Sequence, residues 1–162
     1  MRLCTRMKAE YINPFVKAAY EVVQATLGVR PEKGELSVRT DGTTCQQCTT
    51  VTGVTGRLSG AVTFGMTLAT ADRIASMMLG QPVVTFDQLA ASAIAELANM
   101  IAGHALTELA ERGYVCDISP PSIVRGANIR VMPMGNKSIV IPLLVEGAEI
   151  ELCLSLKEPG AQ

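Results

Sequence analysis

Hydrophobic positions recur at two different intervals along this chain, and the changes of interval mark its segments. From residue 9 to 27, Ile12, Phe15, Val16, Ala19, Val22, Val23 and Leu27 fall at helical spacing, with Gly28 placed to end the helix. Asn13-Pro14 reads as a clean start for this helix, the residues before it forming a separate turn or an extension kinked at Pro14. From 33 to 67 the interval shortens to two. Leu36 and Val38 alternate with polar neighbours, as in a half-buried strand. Thr49, Val51 and Val54 lie in a Thr/Val-rich run, and Gly56 to Gly60 turns it back into a second arm, Ala61 to Met66. A short helix follows from Thr70, its cap, to Leu79, with Gly80 as its stop. Met66, Met77 and Met78 read as core filling.

The long central helix starts near Thr85 or Phe86, where Thr85-x-x-Gln88 has the spacing of a capping box, and runs to about Arg112 with Gly113 past its end. Ile118-Ser119-Pro120-Pro121-Ser122-Ile123-Val124 reads as a stiff crossover. The remainder is strand pattern: Asn128 to Met132, with Ile129 and Val131 on one face, then Ser138 to Val145 and Ile150 to Leu156 around the turn at Glu146-Gly147-Ala148. Pro142 predicts an edge position or a bulge for its strand. Helix, strands, two helices and strands in that order predict one α+β domain over residues 1–162. Its sheet is expected to be mainly antiparallel, with roughly six strands.

The central helix has two faces of different character. At about 100° per residue, Ile94, Leu97, Ala98, Ile101, Ala102 and Ala105 gather on one side as a core stripe. Ser92, Glu96, Asn99 and Gly103 gather on the other. A glycine inside a helix costs about 0.5–1 kcal/mol against alanine, and close approach of another backbone would offset that. Glu96 offers charge and acceptors, and Asn99 both a donor and an acceptor. Neither is a good nucleophile. Together they suit pairing with a cation and orienting a small molecule such as water. On the spacing alone, two solvated surface residues is the favoured reading. In the first helix Glu21 and Gln24 repeat the acid-then-amide spacing, which also suits an ordinary polar face.

Composition narrows the alternatives. A net charge of −1 gives no general basic field for nucleic acid or acidic membranes. No continuous apolar run approaches the ~20 residues of a membrane span, and the N-terminal residues lack the pattern of a signal peptide. A cytoplasmic protein is the expectation. The five cysteines are an odd count in a chain too long to need a disulfide scaffold. Cys45-x-x-Cys48 has the spacing of half a zinc site, but no second close pair follows it, and it leads into a β-branched run rather than a helix. Two cysteines three apart on a strand point to opposite faces. No metal of its own is expected. His104, the one histidine, lies about 80° around the helix from Glu96, at the edge of the core stripe, and reads as a boundary residue.

In Ser92-x-x-x-Glu96-x-x-Asn99, followed by Pro120-Pro121, the sequence resembles the CheC/CheX/FliY group of chemotaxis phosphatases, and within it the CheX branch most. The segments NPFVKAAYEVVQATLG, GVTGRLSGAVTF, SAIAELANMIAG and PPSIVRG extend the likeness over most of the chain. The resemblance implies a CheC-like fold with an internal pseudo-two-fold repeat. It also implies removal of phosphate from the aspartate of a phosphorylated CheY-like response regulator. In that implied scheme Glu96 pairs with a receiver lysine and Asn99 orients the attacking water. Ser92, Gly103, Pro120 and Pro121 border the docking face, and Mg²⁺ belongs to the receiver. Because the first helix has Gln24 where the family carries Asn, one site per chain is implied. A homodimer joined at sheet edges is implied too, with the two apolar C-terminal strands as edges that need covering. The competing reading is a non-catalytic CheC-like module that binds a receiver or a flagellar switch component. Retention of both Glu96 and Asn99 argues against it.

Overall fold

Two antiparallel hairpins form the middle of the sheet. In the computed structural model, which describes residues 8–40, 43, 44, 46–127, 130, 131 and 137–159, one hairpin joins β4 (Cys48–Gly56) to β5 (Ser59–Met66). The other joins β9 (Ser138–Val145) to β10 (Ala148–Lys157). Glu146 and Gly147 close the second with φ of 49° and 80°. Those values belong to the tight turn whose twist matches a hairpin. β5 and β10 pair with each other along their lengths, Cys153 opposite Thr63.

The short strands β1 (Glu32–Lys33) and β2 (Ser37–Arg39) both pair with β9, while β6 (Cys116–Ile118) and β7 (Ser122–Arg125) both pair with β4. The order is therefore β1-β9-β10-β5-β4-β6, with β2 and β7 sharing the outer positions. β3 (Thr43–Thr44) and β8 (Arg130–Val131) pair separately. With α1 (Ala9–Leu27), α2 (Leu68–Leu79) and α3 (Gln88–Glu111) the architecture is α+β with an antiparallel sheet. It is a repeat. A long helix, two short strands, a third that pairs with its counterpart and a hairpin occur twice in the same order. Each half places its short strands on the other half's hairpin.

Alternation sorts the sheet into two unlike faces. Phe64, Met66, Val62, Ile141, Leu143, Ile150, Leu152 and Leu154 belong to the core shared with the helices. The opposite face carries Thr49, Thr63, Ser138, Val140, Cys153 and Ser155, all buried. Gln46, leading from β3 into β4, lies over Gly65, and its carbonyl accepts from the Thr49 hydroxyl at 3.2 Å.

Several local expectations change. α1 is continuous from Ala9, with Pro14 inside it, so Asn13-Pro14 is not its start. The missing Pro14 N–H removes one backbone bond, but Tyr11, Pro14 and Phe15 are all buried, and that packing holds the first turns helical. α2 is capped by Thr67 rather than Thr70, whose amide donates to the Thr67 hydroxyl at 3.2 Å. α3 is capped by Asp87, which accepts from the Ala90 amide at 2.8 Å, so the Thr85–Gln88 box is not used. An ionised cap also complements the helix dipole. Leu36 and Val38 are exposed, not half-buried, because no helix extends over β2 at the sheet margin. The C-terminal strands are not open edges, for β10 lies between β5 and β9, and β9 is covered by β1 and β2. The sheet holds more strands than the rough six expected, since β1 and β6 are too short to show a period and the expected crossover from Ile118 to Val124 ends β6 and holds most of β7, only Ser119, Pro120 and Pro121 lying between them. Of the proposed strand at 128–132, Asn128, Ile129 and Met132 lie outside the described residues, as does Cys45.

Pro142 is not on a terminal strand and β9 itself pairs regularly with β10 there, but the chain that faces it carries one extra residue, from Lys33 opposite Leu143 to Ser37 opposite Val140, so the expected bulge lies in the covering strand. Pro142 sits where the covering of β9 is interrupted, between β1 and β2. There Gly34 N–H donates to its carbonyl at 2.8 Å. A side chain at Gly34 would meet the Pro142 ring at 3.0 Å. The other half has the same interruption at Gly53, between β6 and β7, where Ser119 N–H donates to the Gly53 carbonyl at 2.9 Å. Gly53, unlike Pro142, has an N–H to satisfy, and the Ser119 hydroxyl accepts it at 2.8 Å. Ser119→Ala should therefore cost about 1 kcal/mol of stability, read as a lower urea midpoint with unchanged slope. An unchanged midpoint would show that water replaces the hydroxyl without loss.

Candidate functional site

Helix α3 is oriented by what it buries. Ala90, Ala93, Ile94, Leu97, Ala98, Ile101, Ala102, Ala105 and Leu109 are buried along its length. Full burial of a Leu or Ile is worth about 1.5–3 kcal/mol, so rotating the helix to bring Glu96 inwards would cost several such contributions and bury a charge as well. By length and apolarity alone α3 could cross a membrane. Its apolar side is instead packed into the core between the other helices and the sheet.

α1 lies antiparallel to α3. Lys17 Nζ meets Glu108 Oε1 at 2.6 Å, and the Tyr11 and Tyr114 rings meet edge to face with centroids 5.1 Å apart. The Lys17 bond holds the Glu108 carboxyl below its ordinary range and raises the lysine in turn. The repeat can be followed residue by residue along these two helices. One constant interval carries buried Ala18, Ala19, Val22, Val23 and Leu27 onto buried Ala93, Ile94, Leu97, Ala98 and Ala102. The same interval carries Lys17, Glu21, Gln24 and Gly28 onto Ser92, Glu96, Asn99 and Gly103. The two outer faces have diverged. Lys17 stands in the place of Ser92 and joins α1 to α3 through Glu108, with Glu21 at 4.0 Å.

On α3 the outer face is open. Ser92 and Glu96 are exposed, and Asn99 and Gly103 are half-buried. No other described side chain makes a hydrogen bond or ion pair with Glu96 or Asn99. A Cβ built on Gly103 would meet nothing within 4 Å. The fold therefore supplies no reason for this glycine, which forms no turn and admits no neighbouring element. His104 is exposed beside this face rather than at the core edge. Ser92, Glu96, Asn99 and Gly103 are thus brought together. Pro120 and Pro121 are placed on the β6–β7 link, which is tied to β4 through Ser119. β6 and β7 both lie against α3, but among the described residues no hydrogen bond joins the two prolines to the acid–amide face. The Ser119 anchor and the Lys17–Glu108 bridge were absent from the sequence reading. Only the departure of Lys17 from the small residue at the matching position could have flagged the bridge.

No other feature competes with this face. Cys48 is fully buried, and burial pushes its thiol up to about 11, so it is protonated and inert at neutral pH. No three His, Cys, Asp or Glu side chains among the described residues converge on a point. A cavity of about 580 Å³ lined by Arg57, Gly113, Val115 and Glu158 lies past the C-terminal end of α3, away from Glu96. The open face offers a carboxylate, a carboxamide one turn on and space above a glycine, and among the described residues no base is hydrogen-bonded to the Ser92 hydroxyl to make it a nucleophile. Such a set can bind a cation and orient a water molecule, but it lacks the groups to activate a substrate alone.

The profile of the family described as "Chemotaxis phosphatase CheX" matches residues 48–144. The CheY-P phosphatase CheX of Thermotoga maritima is 32% identical over 156 residues, 95% of this chain and 100% of that protein. The crystal structure of a chemotaxis protein CheX from Desulfovibrio desulfuricans superposes with a TM-score of 0.83 at 26% identity, covering 91% of this chain and 99% of that one. A chain of the CheX-CheY-BeF3-Mg complex from Borrelia burgdorferi does so with a TM-score of 0.80 at 27% identity, covering 93% and 100%.

Because a Cβ at Gly103 would meet none of the described residues within 4 Å, Gly103→Ala should stabilise the isolated protein by about 0.5–1 kcal/mol through helix propensity. Thermal unfolding should show a rise of roughly 2–4 °C per kcal/mol. A fall in the midpoint would mean that the fold itself needs the glycine.

Proposed function

The chain belongs to the chemotaxis phosphatase CheX family, and on that premise we propose that it removes phosphate from the aspartyl phosphate of a CheY-like response regulator. The observation that carries the reading is the open face of α3. There Glu96 and Asn99 stand free of hydrogen-bond and ion-pair partners among the described residues, on a helix whose opposite side is locked into the core. The likeness to a CheY-P phosphatase over nearly the whole chain supports it.

In this scheme the receiver contributes the acyl phosphate, its own lysine and Mg²⁺, and the phosphatase brings no metal. Glu96 pairs with the receiver lysine across the interface and fixes the angle of approach. Asn99 enters beside the phosphoryl group. Its carboxamide accepts a hydrogen bond from a water molecule and holds that oxygen in line with the scissile P–O bond. The water oxygen bonds to phosphorus as the bond to the aspartate oxygen breaks. Inorganic phosphate leaves, a proton passes to solvent or phosphate, and the receiver keeps its carboxylate. An acyl phosphate needs no further activation, so placing the water is the contribution left to make. Ser92 and Gly103 border the docking face, Gly103 by letting the partner backbone come close. Pro120 and Pro121 border it from the β6–β7 link. The reading places the protein in the cytoplasm as one domain over residues 1–162.

Asn99→Ala should abolish most of the acceleration of phosphate loss while leaving binding to a beryllofluoride-activated receiver largely intact. Asn99→Asp should also be poor, since it removes the amide donor and adds negative charge beside a phosphoryl group. Glu96→Ala should weaken both turnover and binding, because truncating one partner of a desolvated charge pair costs on the order of 2–5 kcal/mol. Full activity of Asn99→Ala would end this mechanism. Gly103→Ala should lose turnover despite its gain in stability, a combination that a purely structural glycine would not give.

A homodimer completes the proposal. Since β9 and β10 are interior, the support for it is β2, where Leu36 and Val38 are exposed at a sheet margin open to strand pairing. Light scattering at micromolar concentration should give twice the chain mass, and Val38→Lys should shift the protein to monomer. A monomer at all concentrations would exclude it.

A further inference from the structure

Five large apolar side chains are exposed among the described residues: Leu36, Val38, Val84, Leu89 and Val115. Two of them flank the start of α3. Val84, 89% exposed, lies in the α2–α3 connection, and Leu89, 53% exposed, is the second residue of the helix. At about 100° per residue Leu89 falls roughly 20° from Glu96 around the helix and about 10 Å before it along the axis. It therefore extends the Ser92–Glu96–Asn99–Gly103 line rather than the core stripe.

The repeat supplies an internal control. The interval that carries Glu21 onto Glu96 carries Pro14 onto Leu89, and Pro14 is buried within α1. On that helix the neighbouring position is Lys17, committed to Glu108. An exposed apolar residue thus accompanies the acid–amide pair only on the helix whose face is open.

Resting on the reading of this face as the receiver-docking surface, we infer that Leu89, supported by Val84, is an apolar anchor that packs on the receiver beside its phosphorylation site and sets affinity for it. Charge pairing at Glu96 fixes orientation, but a polar face gains little binding free energy in water. An anchor that is dry only in the complex supplies what the acid and amide lack. The occupant is the receiver and not another copy of the chain, because Leu89 is continuous with the residues that must meet the receiver. The sheet margin at β2 is a separate surface.

The test is steady-state dephosphorylation of a phosphorylated CheY-like receiver, together with direct binding of the same receiver activated by beryllofluoride and Mg²⁺. Leu89→Ala should weaken binding and raise KM about ten-fold, equivalent to about 1.4 kcal/mol, with kcat within two-fold. Leu89→Glu should do more, and Leu89→Met should restore most of the affinity. Asn99→Ala shows the opposite split, low kcat with binding retained. Thermal midpoints of the Leu89 variants should match the parent, since the side chain is exposed. An active parent whose Leu89→Ala variant keeps its KM overturns the anchor alone. So does a Leu89→Glu variant that changes the mass of the free protein while KM stays fixed, which would assign the surface to self-association. A parent that neither binds nor dephosphorylates any receiver overturns the reading of the face, and the anchor with it.

Discussion

The burial of one side of α3 is the constraint on which the rest depends. Ile94, Leu97, Ile101, Ala105 and Leu109 are each at most 1% exposed. Together they set the rotation of the helix about its axis to within a fraction of a residue. Glu96 and Asn99 need no hydrogen bonds of their own to be aimed outwards. Their direction follows from the packing of residues on the opposite side. Asp87 fixes where the helix starts, and Gly113, with φ of 91°, lets the chain turn away at its end. A face built this way is set before any partner arrives, which suits the proposed placing of a water molecule.

Duplication accounts for the architecture, and small local differences account for its asymmetry. Both hairpins have an interruption where the covering strand breaks, and both satisfy the exposed carbonyl with one backbone donor, Gly34 or Ser119. Proline at one interruption removes the need for a further acceptor, and glycine at the other calls for the Ser119 hydroxyl. The helices diverge by the same kind of change. Lys17 converts the outer face of α1 into a brace for the helix pair, and Ser92 at the matching place leaves α3 unencumbered. One side chain thereby separates a braced face from an open one.

The chemistry is divided between molecules. This chain offers an acid, an amide and a clear approach. The proposed partner holds the reactive acyl phosphate and the positive charge around it. In the proposed mechanism neither set is sufficient alone, so hydrolysis is gated by docking. On that proposal α3 needs no nucleophile, metal cluster or enclosed pocket.

Much of this was legible in the order of residues. The stripe on α3 and its polar counter-face follow from a period of 3.6, because a helix long enough to repeat the period reports its own buried side. The paired hairpins follow from alternation broken by glycine turns, and the resemblance of spaced motifs pointed to the family. Tertiary structure decided what periodicity cannot carry. Strands of two or three residues have almost no period, so β1 and β6, and the exchange of short strands between halves, emerged only with the sheet. Leu36 and Val38 alternate correctly yet are exposed, because alternation reports a face and not whether anything covers it. Pro142 signalled a missing donor, and only the neighbouring strands revealed that the gap lay between β1 and β2. The choice of Asp87 over Thr85 as cap, and Lys17 reaching Glu108, are distances between residues, and local sequence holds no distances.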